Sequence, residues 1–264
     1  MLDRYIRTVA KRKGNDFLLA PSLKEVLQSN DRVIANLEGP ITEHPSLSET
    51  SQIGEAKNYI FTFPVESADF LRRENIHIVN LGNNHILNFD SEGVVATQRY
   101  LERAGVRYFG SPLGEERTLI ETVRGITVGL VNYNQFFYQG KQKALADIAS
   151  VKSQVDVLVL YAHWGQEHVP ALSQIKALAH EFVDAGVDVV IGSHPHIIQE
   201  QEIYRDKTIY YSLGNFIFDQ YQDESTQNGL LVKLAINPET KELSFEHIPL
   251  FLSKSGHLTE KLSF

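Results

Sequence analysis

Val187-Asp188-Val189-Val190-Ile191-Gly192-Ser193-His194-Pro195-His196 is an apolar run that stops abruptly at two histidines separated by one proline. β-Branched residues without polar alternation are what a strand covered on both faces requires, so the run predicts a buried parallel strand. Gly192 is expected to let the chain turn, and Pro195 to stiffen the link between His194 and His196. Neutral imidazole is a common metal ligand, and a rigid His-Pro-His aims two rings at neighbouring positions. Taken alone, the same pattern also describes a turn with two solvated histidines.

Working outward, strands alternate with helices. Val155–Ala162 repeats the apolar run and ends in His163-Trp164-Gly165-Gln166-Glu167, and between the two runs Leu172, Ile175, Leu178, Ala179, Phe182 and Val183 fall at helical spacing, with Gly186 as the stop. Upstream, Arg32–Asn36 reads as a strand leading to Leu37-Glu38-Gly39-Pro40, and Ile76–Leu81 as one leading to Gly82-Asn83-Asn84-His85. Helices are expected over Ser22–Gln28, Pro64–Glu74, Ser91–Ala104 with Gly105 as C-cap, and Gln142–Ser150. Val106–Phe109 is a short strand candidate, and Thr118–Val123 with Ile126–Tyr133 forms a hairpin about Arg124-Gly125. Thr208–Leu213, Gly229–Ile236 and Leu243–Leu250 complete the strands. Residues 1–20 are expected to be a solvated helix and loop, and Thr42–Thr62 a surface excursion.

This order predicts an α/β fold with helices flanking a largely parallel sheet, and 264 residues without repeats suit one domain over 1–264. A net charge of -8 argues against nucleic acid as a partner, because the average field repels phosphates. Without cysteine, thiolate ligands and disulfides are excluded, and a metal must sit among His, Asn, Asp and Glu, a set suited to manganese, iron or zinc. No apolar run approaches the ~20 residues of a membrane-spanning helix, and Met1-Leu2-Asp3-Arg4-Tyr5 lacks the apolar core of a signal peptide. The chain as written is therefore expected to be soluble. Its compartment stays open: cytoplasmic as written, cell-surface or exported if sequence precedes it.

Ligands of parallel α/β sheets bind beyond the carboxyl ends of the strands. Glu38, Asn84, His85, His163, His194 and His196 all fall at such ends, on four predicted strands. Singly, each has a structural explanation: a turn cap, an Asx turn, a core histidine beside Trp164. Together they predict a metal site. His77, His180 and His257 have no such placement, and His44, His168 and His247 stay undecided.

The succession Asn36-Leu37-Glu38, Asn83-Asn84-His85, His163-Trp164-Gly165-x-Glu167, Gly192-Ser193-His194-Pro195-His196 and Ser212-Leu213-Gly214-Asn215-Phe216 resembles the CapA family of bacterial capsule or poly-γ-glutamate biosynthesis proteins. The resemblance runs from Met1 to about Asp219 and implies a calcineurin-like metallophosphatase fold of layered sheets. It makes Glu38 a carboxylate bridging two metals, with Asn84, His163 and His194 completing one and His196 serving the other. It makes His85 a general acid beside them. Arg4, Glu167 and Asn215 become substrate-binding candidates. Two departures accompany it. The family's Gly-Asp precedes a Met-Leu-x-Arg segment, whereas this sequence begins at Met1-Leu2-Asp3-Arg4, so the first strand and its metal-binding Asp are expected to be missing and one metal is an alternative to two. Asp3 does not occupy the motif position. Asn88 stands where many relatives carry Asp, a change expected to affect an outer hydrogen bond.

The implied function is a metal-dependent hydrolase or transferase acting on a phosphoester or an anionic γ-glutamyl polymer, alongside capsule-synthesis proteins. The alternative is a non-catalytic module that binds polymer or partners, with an incomplete metal site. An ordinary phosphoesterase unrelated to capsules is a third reading, since fold does not determine substrate.

Overall fold

The computed structural model describes residues 1–114, 116–254 and 258–262, so His257 lies outside the described residues. A six-stranded sheet forms its centre, in the order β4-β5-β6-β7-β9-β8. Its strands are β4 (Thr118–Val123), β5 (Ile126–Asn134), β6 (Val157–His163), β7 (Val189–Ser193), β8 (Gln201–Tyr204) and β9 (Lys207–Tyr210). β5, β6, β7 and β9 run parallel, and β4 and β8 are antiparallel edges. A second sheet joins β1 (Val33–Asn36), β2 (Ile76–Asn80) and β3 (Arg107–Phe109) in parallel. A third, antiparallel sheet consists of β10 (Asn228–Ile236), β11 (Leu243–Leu252) and β12 (Thr259–Lys261).

Strand alternation divides the apolar side chains between layers. On β6, Leu158, Leu160 and Ala162 face α5 (Gly140–Val151) and α6 (Ser173–Ala185), in a core with Ile148, Ala179 and Phe182. Val157 and Val159 face the other way, packing with Ile78, Phe109, Val189, Ile191 and Tyr210 and with the hairpin residues Val232, Leu234 and Phe245 between the sheets. A third core closes the opposite side, where α1 (Arg4–Lys13), α2 (Pro21–Gln28), α3 (Ser67–Arg73) and α4 (Asp90–Ala104) cover β1 and β2. The result is helices, sheets, sheet, helices, the layered α/β arrangement that the sequence predicts.

The middle strand meets its expectation, since β7 lies between β6 and β9 with Val189, Val190 and Gly192 buried. Gly105 and Gly186 end α4 and α6 in the left-handed conformation, and the turn at Arg124-Gly125 has positive φ at both positions, the hairpin geometry that suits strand twist. Gly192 departs from its expected role: it lies inside β7, and the turn comes at His194 and His196, with φ of 96° and 59°. What Gly192 supplies is space, because a Cβ there would meet the Tyr211 carbonyl oxygen at 1.9 Å.

Residues 1–20 also differ from a solvated segment. Leu2, Ile6, Val9, Leu18 and Leu19 are core residues, and buried Asp3 holds Arg7, Ser48 Oγ and the Thr62 amide. Charge in the helix sequence masks this inward face. Thr42–Thr62 runs over the surface as expected, with residues 52–57 exposed, and is pinned by buried Thr42, Ser48, Asn58 and Phe61. The predicted strand over 208–213 stops at Tyr210, and two short strands, β8 and β12, escape sequence reading.

Candidate metal centre

The carboxyl ends of β1 and β2 in one sheet meet those of β6 and β7 in the other. Glu38 follows β1, Asn84 and His85 follow β2, His163 ends β6, and His194 and His196 follow β7. Ligand atoms of Glu38, His194 and His196, all buried, lie within 4.8 Å of one another. Glu38 Oε1 is 3.6 Å from His196 Nε2 and 3.9 Å from His163 Nε2, too far to hydrogen-bond and close enough to share a cation with bonds of about 2.1 Å.

The surrounding hydrogen bonds determine which atoms face inward. Asn215 Nδ2 donates to the carbonyls of His196 and Thr226 and to Gln220 Oε1, so its Oδ1 accepts from His196 Nδ1 at 2.9 Å and leaves Nε2 as a lone pair toward Glu38. Ser193 donates its hydroxyl to Ala162 O at 3.1 Å, so Oγ accepts His163 Nδ1–H at 3.0 Å. His163 Nε2 then faces Asn84 Oδ1 at 2.9 Å, two acceptors in contact. A shared cation would reconcile the two acceptors. Glu38 Oε1 and His194 Nδ1 are buried without a hydrogen-bond partner, which is costly unless something positive or protic meets them.

Burial disfavours the charged form of each of these groups. It lowers His194 and His196 to about 4 and takes His163 well below the usual histidine range, helped for His163 and His194 by the neighbouring imidazoles. Burial also raises Glu38, against the pull of His85. In the metal-free protein the unfolded histidines, at about 6.5, bind protons that the folded ones refuse, so stability falls as pH drops from about 6.5 toward 4. Glu38 opposes this, gaining a proton more readily when folded. We expect the melting temperature of metal-free protein to fall between pH 7 and 5, and a His194→Ala/His196→Ala double variant to show a flatter profile in the same differential scanning series. Parallel profiles would contradict the assignment.

His85 packs on Phe61 with ring centroids 4.4 Å apart, and its Nδ1 lies 3.2 Å from Asn88 Oδ1, which also accepts the Phe61 amide at 2.8 Å. Asn88 thus makes an outer hydrogen bond to His85. Burial lowers the His85 pKa, while Glu38, Asn88 and the Tyr59 carbonyl favour its charged form.

The three substrate-binding candidates fall differently. Arg4 is bound to Asp219 and to Asn58 Oδ1 at 2.9 Å, with its guanidinium over Phe61 and Phe218. Those rings in turn pack on His85 and His196, so Arg4 sits behind the site. Asn215 is likewise buried behind His196. Glu167 is exposed at the mouth, near enough for its charge to act on Glu38 and His196. Met1 is buried, its nitrogen donating to Ile217 O at 2.9 Å, and Asp3 points to Arg7.

Phe136 had no signal in the sequence. It is 46% exposed, yet its ring lies 4.7 Å from the His194 ring, and its backbone N–H donates a hydrogen bond to Asn134 Oδ1 at 3.0 Å. The adjacent Gln135 side chain binds both the amide and the carbonyl of Gly165, tying the two mouth loops together. Of the undecided histidines, His168 is exposed with its ring 6.4 Å from that of His196, His44 stacks on Phe89, and His247 bonds Tyr210 Oη at 2.7 Å. A cavity of about 770 Å³ opens at the other end of the sheet, but its Lys207 and Lys241 are paired with Asp188 and Asp156.

Comparison with known proteins bears on the family and the fold. The family described as bacterial capsule synthesis protein PGA_cap matches residues 1–220. Capsule biosynthesis protein CapA of Bacillus anthracis is 27% identical over 246 residues, covering 83% of this chain and 58% of that protein. PGA biosynthesis protein CapA of Bacillus subtilis (strain 168) is 26% identical over 240 residues, covering 83% and 61%. The chain therefore spans less than two thirds of either relative. A hypothetical protein from Thermus thermophilus shares the fold, with a TM-score of 0.54 at 15% identity over 88% of this chain and 96% of that one. Among the described residues, no helix is long and apolar enough to cross a membrane.

Proposed function

The chain belongs to the bacterial capsule synthesis protein family PGA_cap, of the metallophosphatase-like superfamily, and from that membership we propose that it is a metal-dependent hydrolase or transferase of capsule or poly-γ-glutamate biosynthesis. The proposed substrate is a phosphoester or an anionic γ-glutamyl polymer. The observation that carries the metal reading is the pair of buried, unpartnered acceptors, Glu38 Oε1 and His194 Nδ1, within one cluster of ligating groups. Shared cores across all three sheets support reading residues 1–264 as one domain.

In this reading Glu38, Asn84, His163, His194 and His196 hold one or two divalent ions of manganese, iron or zinc. Such ions polarise an anionic substrate and lower the pKa of bound water. The chain's own part is orientation and proton handling. Asn215 and Ser193 turn His196 and His163 so that each presents Nε2. His85 gives a proton to the leaving group; burial works against that proton, and Glu38, Asn88 and the Tyr59 carbonyl favour keeping it. Glu167 at the mouth faces incoming substrate. Arg4, held by Asp219, steadies the rings beneath His85 and His196, so positive charge for an anion comes from the metals.

The test is turnover of aryl phosphate, alkyl phosphate and poly-γ-glutamate by protein loaded with each metal, beside His85→Ala. Activity above that control supports the reading; none with any metal or substrate sinks it. Exposed Phe136, Tyr138, Tyr59 and Leu87 favour a second reading, a binding module for polymer or a partner protein. Polymer binding that survives chelation and loss of His85 would favour the module over the enzyme.

A further inference from the structure

Side-chain amides join the two sheets directly behind Glu38. Asn132 on β5 donates through Nδ2 to Asn80 Oδ1 at 3.0 Å, Asn80 at the end of β2 donates to Asn36 Oδ1 at 3.2 Å, and Asn36 at the end of β1 donates to Glu38 Oε2 at 2.9 Å. All three bonds point the same way, toward the carboxylate.

Backbone groups set that direction. Asn132 Nδ2 also faces the carbonyl oxygens of Gly82 and Tyr161, both at 3.2 Å, so only its NH2 fits there. Asn80 Oδ1 accepts the Gly82 amide at 3.2 Å, which turns its own NH2 toward Asn36. Asn83 Nδ2 donates to Leu37 O at 2.9 Å and adds a second donor to Asn36 Oδ1 at 3.3 Å. With its oxygen taken twice, Asn36 has only its NH2 left for Glu38. Two glycines clear the space: a Cβ at Gly82 would lie 2.1 Å from Asn132 Oδ1, and one at Gly110 2.5 Å from Asn80 Oδ1.

Glu38 is left asymmetric, with Oε2 occupied and Oε1 bare, buried and facing His196 and His163. We propose that Asn36, locked in one orientation by Asn80, Asn83 and Asn132, is a positioning residue that reserves Oε1 of Glu38 for metal and makes it a one-oxygen ligand. This rests on the metal reading above. It adds which oxygen binds, and it ties the choice to the join between the sheets. Without the Asn36 donor, Oε2 is free to swing onto the same ion, changing coordination number as well as affinity.

The experiment uses the full chain freed of metal, as wild type, Asn36→Ala and Asn132→Ala, each shown to be folded by circular dichroism. Mn²⁺ affinity is measured by competition with a chelator. Metal-minus-apo infrared difference spectra are recorded with ¹³C-glutamate labelling, and Glu38→Gln identifies the Glu38 bands. Removing an orienting partner costs about 10–100-fold in metal affinity, and that loss is expected for Asn36→Ala, with a smaller loss for Asn132→Ala. The separation between the two Glu38 carboxylate stretches should be wide in wild type and narrower in Asn36→Ala, a change that general loosening would not produce. If Asn36→Ala fails to fold, partial narrowing in Asn132→Ala supports the proposal and an unchanged separation there overturns it. A wild-type separation unaltered in Asn36→Ala also overturns it, whatever the affinity. Wild-type protein that takes up none of Mn²⁺, Fe²⁺ and Zn²⁺ overturns the metal reading and this proposal together; if only Fe²⁺ or Zn²⁺ binds, the same comparison is made with that ion.

Discussion

His194→Ala is expected to strip the protein of metal, while His85→Ala is expected to leave metal in place and remove turnover. His194 is buried, its Nδ1 has no hydrogen-bond partner, and it belongs to the cluster with Glu38 and His196. Its loss removes a ligand outright, so affinity should fall by more than the roughly 10–100-fold that loss of an orienting partner costs. His85 sits across the site against Phe61 and Asn88, outside that cluster, and its removal should cost about 10²–10⁴-fold in rate through the missing proton donor. Elemental analysis after dialysis against a weak chelator separates the two variants. Equal metal loss in both would undo the division of roles. The melting temperature of metal-free His194→Ala should hold or rise at pH 5, because a buried imidazole that resists protonation has gone.

Gly192→Ala is expected to be among the most damaging single-methyl additions to this chain. The new Cβ would lie 1.9 Å from the Tyr211 carbonyl oxygen and 2.7 Å from Trp164 Nε1. Neither neighbour can yield cheaply, because the two are bonded to each other at 2.9 Å and both are fully buried. β7 must separate from the segment after β9, and His194 moves with it. Overpacking against backbone costs about 1–3 kcal/mol, occasionally more, and the upper end is expected here. In a domain of this size that corresponds to a drop of roughly 5–10 °C in melting temperature, read by urea and thermal unfolding of the metal-free protein. A change within about 1 °C would show that the strand pair is looser than its geometry implies. Metal affinity should fall in parallel, because the methyl displaces the strand that carries two ligands.

Much of the fold is legible in the residues because its signals are local. The apolar runs of β6 and β7, the helical spacing of α6 and the glycines after α4 and α6 each act within a few residues of chain. Missed features depend on distant partners. The strand β8 is recognisable only beside β9, and the inward face of α1 is hidden among its arginines and lysines until Asp3 and Thr62 meet Arg7. Arg4 is a free cation in the sequence and a bound one in the fold, because Asp219 lies 215 residues away. Phe136 is one aromatic among many until its loop is fastened to Gly165 and its ring laid against His194.

The site divides along the same line. By itself the sequence determined which polar residues lie at the carboxyl ends of β1, β2, β6 and β7, since each apolar run and the polar residues that follow it are written consecutively. The resemblance to a family then supplied their expected roles. Only tertiary structure decided that the four strand ends belong to two sheets and converge, that Asn215 and Ser193 orient the imidazoles, and that the Asn132-Asn80-Asn36 amides leave a single oxygen of Glu38 bare. The physical reason is directionality: a hydrogen bond is decided by where its two partners point, and those directions exist only once the sheets have packed.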